Sequence, residues 1–334
     1  MMPQDQRSHL APGVSVVVPV FNGALTLSSL VAQLVELFET MPDPFEVLLV
    51  NDCSRDESWA VIARLSAVDP RIHGIDLMRN YNQHNALLCG IRQAQYEYVV
   101  TMDDDLQHPP QEIPALLQRL ADGYDVVYGA PHELPHGVLR NLASTLTKVA
   151  LQTAMGAETA RRVSAFRAFR TELRNAFATF NGSFVSIDVL LTWGTTRFTH
   201  VLVEHRPRTL GQSNYTMRKL LTHALNMMTG FSTLPLQVAS LLGFSITIFG
   251  VFVLAFVLIR VVVDGSAPQG FPFLASIIAI FSGAQLFALG VIGEYLARMH
   301  FRLMDRPAYA IRQQTPTVVT AAPDGRRHHP DRQP

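Results

Sequence analysis

Cysteine and charged residues are both scarce in this chain. The two cysteines, Cys53 and Cys89, lie far apart and form no CxxC pair. This excludes a disulfide framework and a cysteine-based zinc site, and it favours reduced thiols in a cytosolic domain. Charged residues make up 16% of the chain, and 27 basic residues balance 27 acidic ones. A surface built to bind nucleic acid is therefore not indicated.

Several common signatures are also missing. The opening residues, MMPQDQRSHLAPG, lack the apolar core of a signal peptide, so we expect none. Residues 14–25 contain no GxGxxG, which disfavours a dinucleotide-binding oxidoreductase. Hydrophobic residues, in contrast, make up 48% of the chain. They fall into short runs at first and into two long runs near the end.

The short apolar runs alternate with helical patterns through about residue 210. Runs typical of buried strands cover 14–18, 45–50, 72–78, 98–102 and 125–128. Segments with helical spacing lie between them, at 24–40, 56–68, 82–95 and 111–121. Because strands that alternate with helices need crossover connections, the pattern predicts an α/β fold with a mainly parallel sheet.

The run 98–102 ends in a cluster of acids. If strand alternation continues past it, Asp103, Asp105 and Gln107 offer three oxygens on one side of the chain. The carboxyl ends of strands are where open α/β sheets bind ligands. Oxygen ligands suit Mg²⁺ or Mn²⁺, which usually share them with substrate phosphates. The alternative is an acidic turn that caps the next helix.

The two long apolar runs, 234–263 and 271–297, predict transmembrane helices. Each exceeds the roughly 20 residues needed to cross a hydrocarbon layer of about 30 Å; a buried globular hairpin is the alternative. The loop between them has no Lys or Arg, whereas both flanks are basic. The positive-inside rule therefore places the preceding α/β domain and both termini in the cytoplasm, with the short loop outside. Small residues along the second run predict helix contacts within the hairpin, or between protomers of a homo-oligomer.

Two further stretches, 138–155 and 214–233, mix apolar and basic residues, as amphipathic interface helices do. An ordinary helix packed on the sheet is an equal alternative for the first. Residues 1–12 are polar, and we expect them to be disordered. The predicted α/β domain covers 13–213. The predicted cytoplasmic tail covers 298–334 and is expected to be disordered from about residue 315.

The polar strand ends resemble a known fold. VVVPVFN, NDCSRD and DDDLQ together resemble the GT-A fold of the family 2 glycosyltransferases, which use nucleotide-sugar donors. RNYNQHNALLCGI, MDDDLQHPPQEIP, RTLGQSNYTMRKL and GAQLFALGVIGEYLAR then occur in family order. They resemble polyprenyl-phosphate glycosyltransferases with two carboxyl-terminal spans, nearest to the undecaprenyl-phosphate 4-deoxy-4-formamido-L-arabinose transferases. Dolichyl-phosphate mannose synthases are related. The resemblance covers about residues 13–312.

The resemblance implies an inverting, metal-dependent reaction at the bacterial inner membrane. A sugar would pass from a UDP- or dTDP-sugar to a polyprenyl (undecaprenyl) phosphate, for cell-envelope glycan or lipopolysaccharide modification. The implied cofactor is Mg²⁺ or Mn²⁺, and the implied partners are the donor, the lipid phosphate and membrane lipid, with no nucleic acid. Two alternatives remain: a transferase that acts on a glycolipid or polysaccharide, and a catalytically inactive membrane scaffold.

The resemblance also implies roles for single residues at the nucleotide pocket. Asp52 would read a pyrimidine base, with Pro19 and Asn22 beside it; taken alone, Asp52 is more typical of an Asx-turn. Cys53 stands where the family usually has glycine, so the backbone there must tolerate a side chain.

The remaining implied residues serve the cation and the phosphates. Asp103, Asp105 and Gln107 would hold the cation, and Asp104 between them would face the sugar. The three aspartates form the implied catalytic set. Residues implied to bind phosphate are Arg140, Arg167, Arg208, Ser213 and Tyr215. A helix-surface charge is the alternative for the second of these, and a helix N-cap for Ser213.

Overall fold

The computed structural model describes residues 10–131, 162–182, 185–206, 234–264, 270–304 and 306–316. Within these ranges, eight strands form one sheet and seven α-helices accompany them. The strands are β1 Ala11–Val20, β2 Phe45–Asn51, β3 Ile72–Leu77, β4 Tyr96–Thr101, β5 Val126–Pro131, β6 Arg167–Arg170, β7 Phe198–Val203 and β8 Ile311–Gln314. The helices are α1 Leu27–Glu39, α2 Ser58–Val68, α3 Gln83–Gln93, α4 Ile113–Ala121, α5 Ile187–Thr192, α6 Leu234–Asp264 and α7 Phe271–Leu303.

The sheet has the order β7-β5-β6-β4-β1-β2-β3-β8. β1 lies at its centre and pairs in parallel with β2 and β4, so that Val16 lies between Val47 and Val100. Six strands run in one direction, whereas β6 and β8 run in the other. The predicted α/β class with a mainly parallel sheet is confirmed.

The central strands are buried on both faces, which explains their continuous apolar sequences. All residues of β2 and the last eight residues of β1 are buried. Alternate residues point into different clusters: Val17 and Leu48 contribute to one core, and Val16 and Val47 to the other. Because β1, β2 and β4 run in parallel, their carboxyl ends lie side by side. The polar loops that follow these strands share this end of the sheet, which we call its carboxyl edge.

Helices α6 and α7 are long enough and apolar enough to cross a membrane. The qualifying segments are Leu236–Val257 and Ile280–Ala297. Neither is buried inside the protein, and large apolar side chains such as Phe252 and Leu286 are exposed. A soluble protein would bury such helices in its core. The predicted limits agree closely for α6, whereas α7 continues six residues beyond position 297.

The contact between α6 and α7 does not use the glycines of the second predicted run. A Cβ at Gly250 in α6 would lie 2.4 Å from the Phe281 ring, so a glycine allows this close approach. A Cβ at Gly283, Gly290 or Gly293 in α7 would meet nothing within 4 Å. Contacts between protomers through this face remain a prediction.

Strand β8 is a feature that the sequence did not predict. It follows α7 and pairs antiparallel with β3 at the sheet edge, Asp76 opposite Gln313. The predicted interface helices 138–155 and 214–233, residues 1–9 and the tail from residue 317 lie outside the described residues.

Candidate active site

The loops after β1 and β2 are bonded to each other. The backbone N–H of Asn22 donates to Ser54 Oγ at 2.9 Å, and the N–H of Arg55 donates to Asn22 Oδ1 at 2.8 Å. The N–H of Gly23 donates to Ser58 Oγ at 2.9 Å. Side chains satisfy these loop amides because no strand or helix partner is available to them. The two loops therefore form one rigid wall at the sheet edge.

Asp52 is the first residue of the loop after β2, and it is nearly inaccessible to solvent. Its carboxylate accepts the backbone N–H of Tyr81 at 2.6 Å and that of Asn82 at 2.9 Å. Burial raises the pKa of Asp52, and these two hydrogen bonds lower it by less. Each oxygen has a second lone pair, so the carboxylate can still accept a proton-bearing nitrogen.

The acids after β4 lie in a turn. The strand ends at Thr101, and Leu106 adopts a positive φ of 61°. The expectation that strand alternation continues from Asp103 to Gln107 was therefore wrong. The N–H of Gln107 instead donates to Asp105 Oδ1 at 3.1 Å, which folds the segment back on itself. We call residues 103–107 the acid turn.

The acid turn touches both neighbouring parts of the site. A Cβ at Gly23 would lie 1.9 Å from Asp104 Oδ2, so this glycine lets the first loop approach the acid. On the other side, the N–H of Arg206 donates to the carbonyl oxygen of Gln107 at 2.8 Å. Gln107 Nε2 lies 3.4 Å from the carbonyl oxygen of Arg206. The amide oxygen of Gln107 is therefore the atom that could contact a cation.

His108 anchors the end of the acid turn. Its buried ring stacks on Phe166, with centroids 5.2 Å apart, and meets the edge of His205 at 4.9 Å. Burial lowers the pKa of His108 to about 4, with a smaller effect from His205. The imidazole is therefore neutral near pH 7 and adds no positive charge beside the acids.

Comparison with known proteins identifies the family. The sequence profile described as "Glycosyl transferase family 2" matches residues 15–176. An undecaprenyl-phosphate 4-deoxy-4-formamido-L-arabinose transferase of Shewanella sediminis is 33% identical over 307 residues, 89% of this chain and 91% of the relative. The transferase of the same name from Pseudomonas syringae is 32% identical over 301 residues, 89% of each chain. The chain belongs to glycosyl transferase family 2.

Solved structures resemble this family 2 transferase only distantly. Glucosyl-3-phosphoglycerate synthase from Mycobacterium tuberculosis, crystallised with Mn²⁺, UDP and glucosyl-3-phosphoglycerate, is 18% identical. The likeness covers 65% of this chain and 78% of that one, with a TM-score of 0.49.

The structure brings together most of the residues that the sequence assigned to the nucleotide and the cation. Asn22, Asp52 and the acid turn all lie at the carboxyl edge of β1, β2 and β4. Pro19 is buried within β1 opposite Val50, so its ring lies beneath this edge. Arg140, Arg208, Ser213 and Tyr215 lie outside the described residues.

Arg167 lies at the correct end of the sheet but points inward. It pairs with Thr101, two residues before the acid turn, and its side chain is 2% exposed. Its guanidinium forms an ion pair with Asp188, which also accepts the Tyr128 hydroxyl at 3.0 Å. Contact with a phosphate would require this ion pair to open, so the implied role of Arg167 remains a prediction.

Sequence reasoning did not single out several residues that shape the site. Gln83 Nε2 donates to Asp103 Oδ1 at 2.5 Å, and Ser54 holds the first loop. Phe21 precedes Asn22 and is 46% exposed. A positional signal existed for each, because all three lie inside or beside the motifs that carry the family resemblance.

Cys53 provides a test of the local backbone. Its φ of 56° lies in the left-handed region, which costs an L-residue about 1–2 kcal/mol. We expect Cys53→Gly to unfold at the same temperature as the unmodified protein or higher. We expect Cys53→Val to lower the free energy of unfolding by about 1 kcal/mol or more, because β-branched residues resist this conformation. Thermal unfolding measures both, and equal stability of the two variants would contradict the assigned backbone.

Proposed function

We propose that this transferase moves a sugar from a nucleotide-sugar to a polyprenyl phosphate, undecaprenyl phosphate in bacteria. The observation that carries the proposal is the length of the match. Relatives named undecaprenyl-phosphate 4-deoxy-4-formamido-L-arabinose transferase align with 89% or more of the chain. An alignment of this length includes the catalytic sheet and reaches the apolar helices, so an acceptor carried by a membrane suits the whole chain.

The nucleotide would bind across the wall formed by the loops after β1 and β2. Asp52 would accept the ring N–H of uracil or thymine through a lone pair that the Tyr81 and Asn82 amides leave free, and Asn22 lies on the exposed side of the same wall. Phe21 offers an exposed aromatic face for the base. We therefore assign a UDP- or dTDP-linked sugar as the donor.

A divalent cation would bind at the acid turn. The described residues include no group of three His, Cys, Asp or Glu side chains that could hold a metal ion. Asp103, Asp105 and the amide oxygen of Gln107 make an incomplete oxygen set, which fits Mg²⁺ or Mn²⁺ because these ions share substrate phosphates. When bound, the cation neutralises the charge that develops on the departing nucleoside diphosphate.

The chemical step needs little help from protein acids and bases. The second pKa of a phosphate monoester is about 6, so the acceptor is mostly dianionic near pH 7. Its oxygen attacks the anomeric carbon while the bond to the nucleoside diphosphate breaks and the electron pair leaves with the diphosphate. A single displacement inverts the anomeric centre. The protein aligns the two phosphates and excludes water between them.

The acceptor would reach the site from the side of Arg206. This residue is bonded to the acid turn and is the last described residue before the segment 207–233, which leads to α6. Arg208, Ser213 and Tyr215 belong to that segment, so we propose that they contact the donor or lipid phosphates. Arg140 is proposed for the same task. The catalytic domain and both termini would then lie on the cytoplasmic side of the inner membrane.

An acceptor comparison tests this proposal. Purified protein in detergent receives a UDP- or dTDP-sugar with Mn²⁺ or Mg²⁺, and release of the nucleoside diphosphate is measured. We expect release only when undecaprenyl phosphate is present, without a sugar primer, and we expect EDTA to abolish it. Release that requires a glycolipid or polysaccharide primer would replace the proposed acceptor. No release with any donor would favour an inactive scaffold.

A further inference from the structure

The segment 306–316, which follows α7, is bound firmly to the catalytic sheet. Met78 N–H donates to the carbonyl oxygen of Ala310 at 2.9 Å, and Thr315 N–H donates to that of Gly74 at 2.9 Å. Asn85 Nδ2 donates to the carbonyl oxygen of Ala308 at 2.6 Å. These bonds extend well beyond the four residues of β8. The end of the second apolar helix is thereby attached to one particular edge of the sheet.

A buried carboxylate lies beneath this segment. Asp76 in β3 is 2% exposed, and such a group requires polar partners. Asn51 Nδ2 donates to its Oδ1 at 2.7 Å. Its Oδ2 accepts Gln313 Nε2 at 3.3 Å and lies 3.5 Å from Arg312 Nη1. Two of these three side-chain partners of Asp76 come from the segment 306–316.

From Asp76, the hydrogen bonds continue through Asn51 to the wall formed by the loops after β1 and β2. Asn51 uses its amide nitrogen on Asp76, and its Oδ1 accepts the N–H of Ser54 at 3.3 Å. Ser54 Oγ in turn accepts the N–H of Asn22. Arg312 also approaches the wall directly, with Nη2 donating to the carbonyl oxygen of Met78 at 2.9 Å and lying 4.0 Å from Cys53 Sγ.

We infer that the post-membrane segment 306–316 positions the nucleotide site, with Arg312 and Gln313 as positioning residues that act through Asp76 and Asn51. The segment is part of the catalytic domain and not a spacer. Without the side chains of Arg312 and Gln313, the buried Asp76 carboxylate keeps one side-chain partner, and Asn51 is held less firmly in the orientation that fixes Ser54. This inference rests on the proposed nucleotide site, because the segment can affect donor binding only if the wall formed by the loops after β1 and β2 binds the nucleotide.

The primary test measures backbone exchange and does not depend on the substrate. Hydrogen–deuterium exchange of the full chain compares the unmodified protein with Arg312→Ala/Gln313→Ala. We expect amides in 51–56 and 21–24 to exchange at least about threefold faster in the variant. Gln314→Ala is the matched control, because its side chain bonds to Gln93 on the exposed surface. Unchanged exchange at the wall in the double variant would overturn the inference.

A second measurement separates positioning from simple stabilisation. We expect the double variant to raise the KM for the nucleotide-sugar, or the Kd for UDP or dTDP, by about 3- to 20-fold, with kcat changed less than threefold. Arg312→Lys should recover part of the loss because it keeps the charge beside Asp76. Faster exchange with an unchanged donor KM would overturn the positioning role. If the unmodified protein transfers no sugar at all, the proposed function fails, while the exchange result still decides this inference.

Discussion

Asp105→Asn is expected to lower sugar transfer by at least about 100-fold. Asp105 is one of two carboxylates proposed to hold the cation, and its Oδ1 also accepts the N–H of Gln107, a third proposed ligand. The substitution removes a negative charge from the cation site and weakens the turn that presents it. Loss of a single electrostatic group at a transition state costs about 10²–10³ in rate. Release of nucleoside diphosphate at saturating donor and acceptor measures the effect.

The control for this prediction is an acid outside the site. Asp122 is the C-cap residue that follows α4, its side chain is 42% exposed, and it pairs with Arg119 at 3.4 Å. Asp122→Asn should keep full activity. Asp105→Asn should also lose cation-dependent UDP or dTDP binding while its unfolding temperature stays unchanged. Full turnover in Asp105→Asn, or equal cation dependence in both variants, would contradict the proposal that a metal ion binds at the acid turn.

Asp188→Ala is expected to destabilise the protein more than any other change considered for this domain. Arg167 is 2% exposed, and the ion pair with Asp188 compensates its charge. Removing one partner of a buried pair costs about 3–5 kcal/mol, because the remaining charge has no counterion. At about 2–4 °C per kcal/mol for a domain of this size, the unfolding temperature falls by roughly 6–20 °C. Thermal unfolding in detergent measures the shift.

A double variant separates two roles for Arg167. Arg167→Met/Asp188→Leu removes both charges, so it should recover at least half of the stability lost in Asp188→Ala. The residual loss comes from the Tyr128 hydroxyl, which no longer has an acceptor. If the double variant is stable and transfers sugar at the normal rate, the pair is structural and Arg167 does not bind a phosphate. If it is stable but has a raised KM for the lipid phosphate, the implied phosphate role is supported.

The parts of the fold that depend on periodicity were predictable. Continuous apolar runs identified the central strands because a sheet covered on both faces leaves no polar alternation. Strand β1 extends beyond its predicted limits: it covers Ala11–Val20, whereas the prediction covered only 14–18. The reason is that backbone pairing with β2 and β4 continues past the apolar residues, and Pro19 remains in the ladder opposite Val50.

The parts that depend on tertiary partners were not predictable. β8 has the sequence IRQQ, and all four of its residues are exposed, so neither hydrophobicity nor alternation indicates a strand. It forms because β3 presents a free edge to it. The acid turn shows the same limit. Asp103 and Asp105 lie in one turn after β4, and their role at a cation stays a prediction; the positive φ of Leu106, which breaks strand alternation before Gln107, leaves no signal in the sequence.

Identification of the lipid product tests the central claim most directly. Undecaprenyl phosphate is incubated with the purified protein, Mn²⁺ and a panel of UDP- and dTDP-sugars, and the extracted lipid is analysed by mass spectrometry and NMR. The account predicts one new lipid, heavier than undecaprenyl phosphate by a single sugar residue. The sugar would be linked through the phosphate and inverted at its anomeric carbon. A product with retained configuration, or a sugar attached to anything other than the lipid phosphate, would contradict it.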